Sequence, residues 1–176
     1  MLNLFSQKNH KENKLYNTIL VLSRNKLFYT KLSLSDTFQN RINLIFIHIS
    51  FLFIKLKQNN NPSYKKFYQK IFDLTFRNIE LNIREIGYGD VTVNKKMKIL
   101  VRTFYNILFN CEKYKEMTID AKSEFLNKFL EANNIKNITN NKGLIEYFNK
   151  YEAFCFDLTP DSVLKGELKF DHKQIL

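Results

Sequence analysis

The chain has only four glycines and two prolines among its 176 residues, and no tryptophan. So little turn chemistry argues against a many-turned sheet protein, and the collagen-like and low-complexity disordered classes are excluded. Two cysteines are present, Cys111 and Cys155, too far apart for a CxxC pair. That removes a disulfide scaffold and fits a reduced, cytosol-like compartment. The three histidines, His10, His48 and His172, are scattered and share no metal-ligand spacing with the cysteines, so neither a metal nor any other cofactor is expected. Long apolar runs are also missing. The longest, Ile42 to Leu56, contains Asn43, His48, Ser50 and Lys55 and falls short of the roughly 20 residues a spanning helix needs. Met1 to Phe5 is too short for the apolar region of a secretory signal, so a soluble or surface-bound protein is expected.

What is abundant is positive charge, with 28 Lys and Arg against 17 Asp and Glu for a net +11. Residues 1–35 carry 6 bases and 1 acid, residues 36–117 carry 14 and 7, and residues 118–176 carry 8 and 9. The cationic body thus precedes a neutral final third, and it suits negative partners such as RNA, a ribosome or anionic lipid. The bases are 23 Lys against 5 Arg beside 22 Asn and 17 Phe, a bias that AT-rich codon usage also produces. Charge alone is therefore weak testimony to function.

The length suits one domain, and the hydrophobic spacing is helical throughout. Leu15, Ile19 and Leu22 define a first helix over 11–23, and 25–34 reads as an irregular link anchored by Phe28 and Tyr29. Asp36 with Gln39 resembles a capping box for a second helix over 37–57, apolar nearly all round and so placed mid-fold. Asn59 to Asn61 mark a break, and Pro62 suits the first position of a third helix over 63–86. Gly87 to Asp90 stop it, a fourth helix covers 94–112, and Thr118 opens a fifth to about 132. After an Asn-rich loop, Leu144, Ile145, Phe148, Tyr151 and Phe154 form a sixth. The expectation is an all-α, single-domain bundle of about six helices with a short irregular tail. Residues 1–10 are read as a flexible segment, 11–157 as the helical domain and 158–176 as a tail packed on or near it. The tail from Leu158 is ambiguous: Pro160 and Gly166 bracket a candidate short helix, and Glu167 to Phe170 could pass for a brief strand.

Little in the sequence carries catalytic chemistry. His48 lacks a polar neighbour one turn away, which favours a buried histidine satisfied by one hydrogen bond. Arg84, Glu85 and Asp90 flank a single G-x-G with no phosphate-loop continuation, which favours a capped turn held by an arginine–carboxylate pair. Lys95, Lys96, Lys98 and Arg102 place four cations within two helical turns and are the better binding candidates, for phosphates or lipid headgroups. Met1 to Phe5 with Lys8, Lys11 and Lys14 could lie weakly on a membrane, although a frayed terminus is the simpler account. No nucleophile has a neighbouring base and no carboxylates pair in an apolar setting, so an enzyme is not expected. The excess of Phe and Tyr suits an exposed groove for an apolar client.

Several blocks carry a likeness. Phe28-Tyr29, Asp36-Thr37-Phe38-Gln39-Asn40-Arg41-Ile42 and His48, then Phe72-Asp73, Phe76, Leu81, Arg84-Glu85-Ile86-Gly87-Tyr88-Gly89-Asp90, Lys95-Lys96-Met97-Lys98 and Phe104-Tyr105 resemble the ubiquinol-cytochrome c chaperone family. The match covers about residues 15–114, and the REIGYGD stretch is its most specific part. Gln39-Asn40 departs from the family's Asp-Gly, a change Asn would accommodate in a left-handed turn, and Tyr88 replaces a small aliphatic residue. The resemblance implies a non-enzymatic assembly factor for the cytochrome bc1 complex acting on cytochrome b, with no cofactor and no small-molecule substrate. It also implies contact with the ribosome or rRNA, with a small helper subunit and with the inner membrane. The start at Met1 is more like the short alphaproteobacterial members, which implies a bacterial cytoplasm facing that membrane. The motif positions Asp36, Arg41, His48, Asp73, Arg84, Glu85, Gly87, Gly89, Asp90 and Tyr105 are expected to be structural. The competing classes are an RNA- or ribosome-binding module and, more distantly, an enzyme using Asp90 and His48.

Overall fold

A computed structural model describes residues 10–58, 62–133 and 141–171. The expectations for Met1 to Phe5, for the break at 59–61, for most of the Asn-rich loop and for residues 172–176 lie outside the described residues. Within them the elements are α1 (His10–Ser23), α2 (Leu27–Thr30), α3 (Phe38–Lys57), α4 (Pro62–Glu85), α5 (Asp90–Lys113), a 3₁₀ turn (Tyr114–Glu116), α6 (Ile119–Phe129), α7 (Lys142–Asp157) and α8 (Pro160–Leu164). The fold is all-α, as the spacing predicts, and the described residues form no strand beyond an isolated bridge between Leu34 and Ala132.

α3 is the axis. Its unbroken apolar stretch is buried from Ile42 to Ile54, and α1, α4, α5, α7 and α8 all pack on it. The polar residues within it are each bonded: Ser50 donates to the Phe46 carbonyl at 2.7 Å, and Asn43 Nδ2 donates to the Phe129 carbonyl at 2.6 Å. No helix of the described residues is long and apolar enough to cross a membrane. Where α3, α4 and α5 meet, the Phe46 ring lies 5.5 Å from Phe76 and 5.3 Å from Phe104. Such aromatic pairs add about 1 kcal/mol each beyond their burial.

The helix ends correct several expectations. Thr37, not Asp36, caps α3, its hydroxyl accepting from the Asn40 N–H at 3.2 Å, while Asp36 turns to Arg41. Gln39 donates to Asn43 and so does not close a capping box. Asn40 is helical, not left-handed. α5 starts a turn earlier than expected, because the Gly89 carbonyl accepts from both Thr92 and Val93 N–H at 3.0 Å. α6 stops at Phe129 and not near 132: Leu130 swings to φ −121°, ψ 122°, and the chain beyond pairs with residues 33–35. The link over 25–34 contains the single turn α2, whose Leu27 and Phe28 are buried. Of the two readings of the tail, the short helix is the one that forms. Thr159 caps it, and residues 167–170 are no strand.

After α8, Gly166 takes φ +68° against α1, where an added Cβ would lie 3.0 Å from the Leu15 nitrogen and the Lys11 carbonyl oxygen. Both conformation and contact therefore require glycine. Gly166→Ala is expected to destabilise the fold by about 2 kcal/mol, measured by urea unfolding. A change under a few tenths of a kcal/mol would show that the tail does not press on α1.

Candidate functional site

α5 has two opposed faces. Val93, Leu100, Phe104, Ile107 and Cys111 are buried. Turned away from them, Val91, Lys95, Lys98, Arg102, Tyr105, Phe109 and Glu112 follow one another at alternating spacings of four and three, and all are exposed. At 1.5 Å per residue this stripe is about 31 Å long. It starts at Val91, is cationic in its middle, and passes through Tyr105 and Phe109 before ending at Glu112.

The C-terminal end of the stripe borders a cavity of about 850 Å³ between the end of α3, the start of α4 and the end of α5. Phe53, Tyr64, Tyr68, Tyr105 and Phe109 supply aromatic walls. Tyr68 lies with its ring centroid 3.8 Å from Phe53, and burial pushes its hydroxyl pKa up to about 12, with Tyr105 and Glu112 adding to the shift. Lys57 and Glu112 close one rim with an ion pair at 2.7 Å. Pro62, at the first position of α4 where its missing N–H breaks no helical bond, lines the opening beside Tyr64. Among the described residues the groove offers apolar surface and hydroxyls and pairs no nucleophile with a base.

The four cations expected to bind an anion divide. Lys95, Lys98 and Arg102 are exposed and have no ion pair among the described residues. Lys96 instead sits with Nζ 4.6 Å above the Tyr88 ring. Before them, Arg84 binds Glu80 at 2.8 Å and also pairs with Asp90, bolting the end of α4 to the start of α5. Gly87 at φ +97° returns its N–H to the Arg84 carbonyl at 2.9 Å, a closure that favours glycine. Glu85 and Gly89 are exposed in the same turn.

The remaining motif positions lie elsewhere. Asp36 accepts two bonds from Arg41, at 2.6 and 2.8 Å, and these hold its carboxyl below the usual carboxylate range. Arg41 also lies 5.8 Å over the Tyr29 ring. His48 is wholly buried among Phe28, Tyr147, Phe148 and Tyr151. It has two partners, not the expected one: Nδ1 lies 2.6 Å from the Leu44 carbonyl and Nε2 lies 2.8 Å from the Tyr147 hydroxyl. A carbonyl only accepts, so Nδ1 carries the proton and Nε2 accepts from Tyr147. Asp73 is exposed, accepts from Gln69 at 2.8 Å and borders a second cavity of about 170 Å³ with Glu12 and Lys70. Asp90 on the surface and His48 in the core do not meet, so they share no active site. Cys111 and Cys155 are buried, and burial raises both thiol pKa values.

The sequence reading did not name Tyr64, Tyr68 or Phe109. The available signal was Tyr105 and Phe109, two aromatics four residues apart on the face of α5 opposite its core.

Fold and site together define an all-helical protein with an open aromatic groove beside a cationic helix face. The chain belongs to the ubiquinol-cytochrome C chaperone family, whose model matches residues 30–170. The crystal structure of the Cbp3 homolog from Brucella abortus has the same fold, with a TM-score of 0.79 at 22% identity over 98% of this chain and 97% of that one. Among curated proteins no match is found.

Proposed function

We propose that the protein is a non-enzymatic chaperone in assembly of the ubiquinol-cytochrome c reductase (bc1) complex, and that cytochrome b is its client during synthesis, insertion or maturation. Family membership supports the bc1 connection. The observation that carries the rest is the groove of about 850 Å³ with aromatic walls, left open at the end of a cationic stripe. An apolar segment of a membrane protein outside its bilayer needs such a surface, and exposed aromatics that fill a partner's gaps are where binding energy concentrates. On this reading the protein works in a bacterial cytoplasm, at the inner face of the inner membrane. A ribosome and a small helper subunit are further partners of this reading.

Replacing Tyr105 and Phe109 together by Glu is the direct test, because both side chains are about half exposed and their loss leaves the core intact. Co-purification of cytochrome b is expected to fall about tenfold or more, and assembled bc1 complex to fall with it. Unchanged recovery of cytochrome b would remove the groove as the client site. A second reading, an RNA- or ribosome-binding module, is favoured only by Lys95, Lys98 and Arg102, which have no ion pair among the described residues. Reversing these three charges would then weaken ribosome binding and flatten its salt dependence, while the groove variant would leave it untouched.

A further inference from the structure

Ile86, Tyr88 and Val91 stand exposed at the turn joining α4 to α5. Soluble chains scatter large apolar side chains singly over their surfaces, so three within six residues call for an explanation. The turn projects from the body. A Cβ built on Gly87 or Gly89 would meet nothing within 4 Å, and from residue 84 to residue 95 only Val93 is buried. It is also held firmly, by Arg84 bound to both Glu80 and Asp90 and by the Gly87 N–H on the Arg84 carbonyl. Little conformational freedom is left to lose when this turn meets a partner.

Cations stand behind the apolar tip. Lys96 covers the Tyr88 ring, and Lys95 and Lys98 follow Val91 on its own face of α5, about 6 and 10 Å further along the helix. Of the nearby acids, Glu80 and Asp90 are engaged by Arg84, and Glu85 is exposed.

We propose that this turn is a membrane-docking element. Ile86, Tyr88 and Val91 enter the interfacial layer of a bilayer rich in anionic phospholipid, and Lys95, Lys96 and Lys98 meet the phosphates one to two helical turns behind. The order of the residues selects lipid over nucleic acid. RNA would engage the lysines but gain nothing from an isoleucine and a valine at the leading edge, and base stacking needs free aromatic faces, of which the turn has one, already under Lys96. A bilayer uses both, apolar side chains at the acyl boundary and cations at the headgroups. The proposal deepens the membrane-side location given above by naming the surface and the lipid chemistry. Vesicle binding is measured without a client, so its failure leaves the chaperone reading standing.

The test is co-sedimentation of the full chain with vesicles of phosphatidylglycerol and phosphatidylcholine, compared with phosphatidylcholine alone. The wild type is expected to bind the anionic vesicles and scarcely the neutral ones. Replacing Ile86, Tyr88 and Val91 together by Ser should cost about tenfold or more with helicity unchanged. Lys95→Gln and Lys98→Gln should each cost about fivefold and reduce the salt dependence. As a second measurement, Tyr88→Trp should show a blue-shifted emission on anionic vesicles. Absence of wild-type binding, equal binding to both lipids, a triple variant that binds like wild type, or an unshifted tryptophan would each overturn the proposal. So would binding to ribosomal RNA that responds to the lysines, in a chain that ignores vesicles.

Discussion

Asn40→Ala should destabilise the protein by about 3 kcal/mol, since a buried carboxamide is lost together with three hydrogen bonds worth about 1 kcal/mol each. Asn40 Nδ2 donates to the Ser35 carbonyl at 2.7 Å and to the Glu131 carbonyl at 2.8 Å, while Oδ1 accepts from the Glu131 N–H at 2.8 Å. Around it Ser35 N–H bonds the Glu131 carbonyl, and Asn133 spans to Ser33 and Leu34. One side chain in the first turn of α3 thus ties the entry to α3 to the exit from α6. Asn40→Asp should be no milder, because its second oxygen would face two carbonyls in place of donating to them. Thermal unfolding is the measurement, with a fall in midpoint of roughly 10 °C for a chain of this size. A shift of only a degree or two would mean that the two segments hold together without the amide.

Acid should weaken the fold through His48. Burial holds its pKa down at about 4, against an ordinary value of 6.5, even though the bond to Leu44 opposes the shift. Above pH 6.5 the ring is neutral in both folded and unfolded chains and contributes no pH dependence. Between pH 6.5 and about 4 the unfolded chain takes up a proton that the folded chain refuses, so stability falls as the pH falls, by about 3 kcal/mol in all. Below about 4 both states are protonated and the loss levels off. Tyr147, whose hydroxyl bonds the ring, and Tyr151, whose own ring lies 4.6 Å away and whose hydroxyl donates to the His48 backbone carbonyl, both stay neutral throughout this range. Urea titrations at pH 7.5, 5.5 and 4.5 on the wild type and on His48→Gln separate this from the titration of other groups: the variant's curve should be flatter. Parallel curves would show that His48 gains a proton without cost.

The regular parts of the fold were readable because they depend on local spacing. The all-round apolarity of Leu44 to Ile54 gives both a helix and its central position, and α3 does run through the middle. The first turn of the same helix was misread because Asp36 and Thr37 are both good caps, and what separates them is Arg41 taking the carboxylate. Distant partners were not legible at all. Nothing near His48 in the sequence names Tyr147 on α7, and nothing near Asn40 names Glu131. The groove is harder still, because its walls come from the ends of three helices and each aromatic by itself looks like core. Tyr105 and Phe109 gave the one local sign, by lying off the buried face of their helix.

The pressing of Gly166 and α8 onto α1 bears on how the protein is made. The earliest described helix lacks its full set of neighbours until the latest one has left the ribosome, so the molecule closes as a ring closes, with its final link. Until then, the part of α1 that Gly166 and α8 cover stays open to whatever binds unfinished chains.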